Sequence, residues 1–266
     1  MANRIDRTGQ TAAAACFLAV TILSSASSLA ASTTPASDHS LAVPSGSLLF
    51  EENRGQFNRH LDFVARGRGY TVGLGVSPVI ELVRYKERLA RSPAAVDEGA
   101  FAGLQVDRIA RLRLHILDAN GSARPVAVEE DSALTHYLVG PRSKWQTNVP
   151  NFRRIRYENI LENIDVEYYG HNGRLEYDFV LRPGGDPESL RLSFTGIESV
   201  SLGGDGALVI DLGAAQIVQH APVSYQLDKH GKQEPVSSSY TVNDGIVGFE
   251  LGAWDPARPL IIDPVL

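Results

Sequence analysis

Two runs of strict alternation, one on each side of a Gly/Asn turn, constrain this chain more than any other feature. In the first, Ile164, Val166 and Tyr168 alternate with Asp165, Glu167 and Tyr169. In the second, Leu175, Tyr177, Phe179 and Leu181 alternate with Glu176, Asp178 and Val180. Gly170-His171-Asn172-Gly173 lies between them. A period of two sends successive side chains to opposite faces, so the pair reads as an antiparallel hairpin. Ile164, Val166, Tyr168, Leu175, Tyr177 and Phe179 share one face, which must be the buried one. Taking all of 170–173 as the loop sets Tyr169 opposite Arg174, Glu167 opposite Glu176 and Asp165 opposite Asp178.

The other face then carries four carboxylates on two adjacent strands. Like charges directly opposite each other destabilise a sheet, so something must neutralise Asp165, Glu167, Glu176 and Asp178. Arg153, Arg154 and Arg156 are the nearest basic residues, on a neighbouring strand expected at 152–157. Three readings of the acids stand side by side. One is a salt-bridged sheet surface. Another is a divalent-cation site, best suited to calcium, which takes only oxygen ligands. The third is a catalytic carboxylate pair of the kind that glycoside hydrolysis uses. The first is preferred, because the arginines are present while a cation needs further ligands from outside the hairpin. Tyr169 falls on the acidic face and is the candidate ligand-binding residue, as a platform for a sugar ring. The plainer alternative is an aromatic covered by a neighbouring strand or loop.

Short alternating runs with Gly, Pro, Asn and Asp between them fill the rest of the chain. A second hairpin is expected at 200–212, around the turn Gly203-Gly204-Asp205-Gly206. The run 124–129 is expected to pair back on 108–117, and 86–105 reads as an exposed excursion. The one helix candidate is 157–163, YENILEN. About fourteen strands and almost no helix make the class all-β: an antiparallel β-sandwich, or two packed sandwich halves with a sub-boundary near 183–189.

The N-terminus departs from this rhythm. Arg4 and Arg7 precede an apolar run at 12–23, followed by small residues up to Ala31. That is the layout of a secretory signal peptide, with cleavage expected after Ala30. Residues 1–30 are then the signal peptide, 31–47 a flexible leader, and 48–266 the β domain. The apolar run is too short for a stable membrane span, and no later stretch approaches one. Cys16, the only cysteine, leaves with the signal peptide, so the mature chain has no disulfide. A lipoprotein cysteine is the weaker reading of Cys16, because Ala13-Ala14-Ala15 lacks the bulky aliphatic residue usual before one. With a formal net charge of −6, the chain has no basic surplus for nucleic acid.

Several longer segments carry a resemblance: ENRGQF at 52–57, Trp145 with NVPNF at 148–152, NIDVEYYG at 163–170, LEYDFVLRPGGDP at 175–187, the turn GGDG at 203–206, APVSYQ at 221–226 and PLIIDPVL at 259–266. From about Phe50 to Leu266 the chain resembles the uncharacterised N-terminal β domain of secreted bacterial proteins that carry SBBP-type β-propeller repeats. The resemblance implies an extracellular or cell-surface module, normally followed by propeller repeats. This chain would then be a stand-alone version or one cut short before them. The resemblance implies no activity and no catalytic residue.

Nucleophile signatures are absent. There is no G-x-S-x-G elbow, and the seven histidines show no zinc spacing. The GGDG turn lacks the aspartate that a calcium-binding nonapeptide needs at position 208, where Leu208 stands. The chain is therefore expected not to be an enzyme and to carry no cofactor. Its expected role is that of a secreted or cell-surface module for structure, adhesion or domain presentation, with protein or glycan partners. The alternative is a carbohydrate-binding or carbohydrate-active protein using the acidic and aromatic hairpin face.

Overall fold

A computed structural model describes residues 48–87 and 104–264. The expected signal peptide, the leader and most of the 86–105 excursion lie outside the described residues. The chain forms β1 (Phe50–Glu52), β2 (Phe63–Gly67), β3 (Tyr70–Leu74), β4 (Val79–Glu87), β5 (Leu104–Ile116), β6 (Pro125–Tyr137) and β7 (Gln146–Leu161). After these come β8 (Ile164–His171), β9 (Arg174–Leu181), β10 (Leu192–Thr195), β11 (Ser199–Leu202), β12 (Leu208–Asp211) and β13 (Gln216–Gln219). The last are β14 (Val223–Leu227), β15 (Gln233–Val236), β16 (Ser238–Asn243), β17 (Ile246–Leu251) and β18 (Leu260–Asp263). Two single 3-10 turns, at Arg142–Lys144 and Pro187–Ser189, are the only helical pieces among the described residues.

The main sheet runs β15-β14-β18-β9-β8-β7-β1-β2-β3-β4-β5-β10-β17-β16, with β6 on the remaining edge of β7, and every pairing is antiparallel. A second sheet, β11-β12-β13, holds the expected hairpin around GGDG. Strands from before and after 183–189 share the main sheet: β18 pairs with β9, and β10 with β5.

The strand order and one ring contact together show that the main sheet closes over itself. Eight strands separate β9 from β17, and nine steps of about 4.8 Å would set them about 43 Å apart in a flat sheet. Yet the rings of Phe179 on β9 and Phe249 on β17 are 5.9 Å apart. The sheet therefore curls until its two halves face each other. Phe50, Val72, Ile155, Ile164, Phe179, Leu192, Val247 and Ile262 meet in the single apolar core between them, each fully buried. This is the expected all-β sandwich.

Three sequence expectations need correction. The 157–163 segment is strand and turn, not helix. β7 continues to Leu161, and Asn163 turns the chain with φ 58°. Pairs form at Tyr157↔Val166 and Leu161↔Ile164, so β7 carries two more residues than β8 between them. That bulge turns Tyr157, Ile160 and Leu161 all inward, which imitates the i, i+3, i+4 spacing of a helix. Residues 125–129 belong to β6, which pairs with β7 and not with β5. The third concerns the hairpin loop and bears on the site.

Candidate functional site

The β8–β9 hairpin turns on two residues, not four. Asn172 and Gly173 both have positive φ, 51° and 74°, the conformation of a tight turn whose twist matches the strands. His171 therefore pairs with Arg174, Gly170 with Leu175, Tyr169 with Glu176, Glu167 with Asp178, and Asp165 with Val180. The expected partners were two residues out of register. An even slip preserves faces, so the expected buried set stands: Ile164, Val166, Tyr168, Leu175, Tyr177 and Phe179 are all buried. Gly170 is needed because Leu48 crosses it; a Cβ there would lie 2.8 Å from the Leu48 carbonyl oxygen.

The corrected register sharpens the charge problem, because Glu167 now faces Asp178 directly. On the other side of Glu167 lies β7, with Arg156↔Glu167 and Arg154↔Tyr169 in register. Arg154 Nη1 donates to Glu167 Oε2 at 2.6 Å, and Arg156 donates to Oε1. The Arg154 guanidinium also lies over the Tyr169 ring, 4.9 Å from its centre. Arg153 points the other way along the alternation and pairs with Asp131 at 2.8 Å. Two of the three expected arginines therefore cover an acid, and both cover the same one, Glu167.

Asp165 has a separate task. Its Oδ1 accepts the backbone N–H of Asn159 at 2.8 Å and lies 3.4 Å from Arg182 Nη2. Asn159 is the left-handed residue of the β7 bulge, φ 49°, so Asp165 latches the bulge.

Among the described residues no arginine is bonded to Asp178. Tyr169 donates its hydroxyl to Asp178 Oδ1 at 2.9 Å. Beyond β9 lies β18, where Ile262 pairs with Phe179. The next step of the ladder sets Asp263 beside Asp178. Burial pushes the Asp178 carboxyl up to about 6, against the help of the Tyr169 hydrogen bond. Burial, then the charges of Asp178 and Glu176, push Asp263 up to about 7. Glu176 is also raised, chiefly by burial. The face thus runs from an arginine-covered edge at β7 to an edge of raised proton affinity at β18. Asp263 is the member that sequence reading missed. It comes from a distant strand, and the only trace of it was the outward position that alternation in LIID assigns.

Among the described residues no group of His, Cys, Asp and Glu is arranged to hold a metal ion. Nor is any helix there long and apolar enough to cross a membrane. The segments carrying the resemblance do structural work. Asn53 of ENRGQF accepts from the N–H groups of Gly55 and Phe57 and donates to the carbonyls of Asn58 and Leu61, closing its own loop. Gln226 of APVSYQ donates to the carbonyls of Asp255 and Arg258 and accepts from the Asp255 N–H, fixing the turn before β18.

Fold and site together define an antiparallel β-sandwich domain whose polar face is cross-linked by its own side chains. Residues 50–265 match the family described as Domain of unknown function (DUF7948), and the chain belongs to that family. Neither the curated proteins nor the solved structures contain a match.

Proposed function

We propose that this chain is an exported, non-catalytic β module whose role is structural: adhesion, or presentation of neighbouring domains at the cell surface. The observation that carries the reading is the closure of the β7–β8 part of the polar face on itself. Glu167 holds two arginines, Asp165 holds a bulge, and Tyr169 is covered by Arg154. Carbohydrate binding would need Tyr169 open for a sugar ring, and hydrolysis would need two carboxyls free to face a substrate. Domain presentation draws support from the resemblance to the N-terminal domain of SBBP-repeat proteins. Export draws support from the signal-peptide pattern at 1–30.

Two measurements test the reading. Mass spectrometry of the protein recovered outside the cytoplasm is expected to find an N-terminus near Ala31; a chain retaining Met1 inside the cell would refute export. A glycan array probed with the purified domain is expected to show no retention above background. Specific glycan binding that Tyr169→Ala abolishes would replace the structural role with the carbohydrate one.

A further inference from the structure

The interior of the sandwich, opposite the acidic face, contains a polar cluster that the structural role does not use. Tyr168 on β8 and Tyr177 on β9 are direct cross-strand partners, with rings 6.0 Å apart. Gln219, the last residue of β13, donates Nε2 to the Tyr177 hydroxyl at 3.0 Å. Tyr240 on β16 packs its ring 5.6 Å from Phe249, which lies 5.9 Å from Phe179, the ring beside Tyr177; burial, then the nearby Tyr177 and Asp263, raise its hydroxyl. All four side chains are buried, at 1%, 2%, 2% and 4% exposure for Tyr168, Tyr177, Gln219 and Tyr240. Among the described residues, the Tyr168 hydroxyl, the Tyr240 hydroxyl and Gln219 Oε1 have no hydrogen-bond partner.

Unpaired polar atoms in a dry interior are costly, and folded proteins almost always satisfy them. The inventory here is specific. The hydroxyls of Tyr168, Tyr177 and Tyr240 each offer a proton, and Gln219 Oε1 offers an acceptor. Burial raises all three phenols, so they keep their protons. A water molecule, with two protons and two lone pairs, can accept from two hydroxyls and donate to the amide oxygen. We infer that Tyr168, Tyr177, Tyr240 and Gln219 form an internal water-binding site, in which one or two ordered waters bridge the three phenols to Gln219 Oε1. The site joins three parts of the fold: the β8–β9 hairpin, the small sheet through β13, and the β16–β17 edge. Bound water there pins the small sheet and the far edge to the centre of the main sheet.

The test is a high-resolution crystal structure of the domain with denaturant melts of Tyr240→Phe and Tyr168→Phe. The site is expected to show a solvent peak within hydrogen-bonding distance of Gln219 Oε1 and at least one of the two hydroxyls. Each Phe variant is expected to lower the unfolding midpoint, because it removes one arm of a bridged network. The double variant is expected to lose less than the sum of the two. A dry site would overturn the proposal, whether the hydroxyls stay unpaired or bond directly to each other. A midpoint that rises in the Phe variants would do the same, because replacing an orphaned hydroxyl by a hydrogen is stabilising. If Tyr168→Phe fails to fold, the Tyr240→Phe melt and the density decide the matter alone.

Discussion

The two faces of the β8–β9 hairpin use one alternation to opposite ends. On the inner face, Tyr168 lies against Tyr177 and Val166 against Phe179, and apolar burial binds the strands with no need for a particular partner. On the outer face, Glu167 lies against Asp178, and each charge requires its own answer. Glu167 finds it in Arg154 and Arg156, and Asp178 finds it in the Tyr169 hydroxyl and a raised proton affinity. The inner face is tolerant in chemistry and demanding in volume. The outer face is tolerant in volume and demanding in pairing.

The largest predicted effect lies inside. Phe179→Ala or Tyr177→Ala removes a fully buried ring and is expected to cost about 3–5 kcal/mol. Glu176→Ala, one residue away on the other face, is expected to cost less than about 0.5 kcal/mol. Denaturant melts with equal losses at 176 and 177 would break the comparison.

Next comes the arginine pair. Replacing Arg154 and Arg156 by Ala together strands the buried Glu167 carboxylate. Breaking a fully buried pair costs more, but these arginines are 32% and 37% exposed. Solvent screening brings the expected loss to about 1–3 kcal/mol. Adding Glu167→Gln to the double variant is expected to restore part of it, since the stranded charge is then gone. A triple variant no more stable than the double would show that the arginines act only by packing.

A smaller effect comes from pH. Asp178 and Asp263 bind protons more tightly folded than their ordinary value of 3.8, at about 6 and about 7. Between about pH 4 and pH 7 the folded state therefore holds more protons than the unfolded one. Stability from these two groups is complete at the acid end and falls as pH rises through that window, then levels off. Asp178→Asn with Asp263→Asn is expected to flatten this slope and to stabilise the protein at pH 8. Thermal melts from pH 4 to pH 8 that show the same slope in wild type and double variant would rule out an edge of raised proton affinity.

The inner face was legible because a period of two needs no knowledge of the partner. The register was not, because it depends on whether the loop has two residues or four. Asn172-Gly173 was the decisive clue, since two consecutive positive-φ residues suffice for a hairpin turn. The slip was even, so the buried set survived while every outer pairing changed. The false helix at 157–163 has a similar lesson: a two-residue bulge gives Tyr157, Ile160 and Leu161 the same inward spacing as a helix face. Two of the three arginines expected over the acids could be placed from alternation once β7 was known to flank β8. Asp263 could not, because its neighbour Asp178 is joined to it only through the long-range pairing of β18 with β9.

An outer face that neutralises its charges with its own side chains needs no bound cation. The most direct test is thermal unfolding of the wild-type domain in millimolar calcium and again in chelator. A ligand that binds only the folded state must raise the midpoint. The midpoint is expected to be the same in both. A rise of many degrees in calcium, abolished by Asp178→Asn or Asp165→Asn, would contradict it and make the acidic face a metal site.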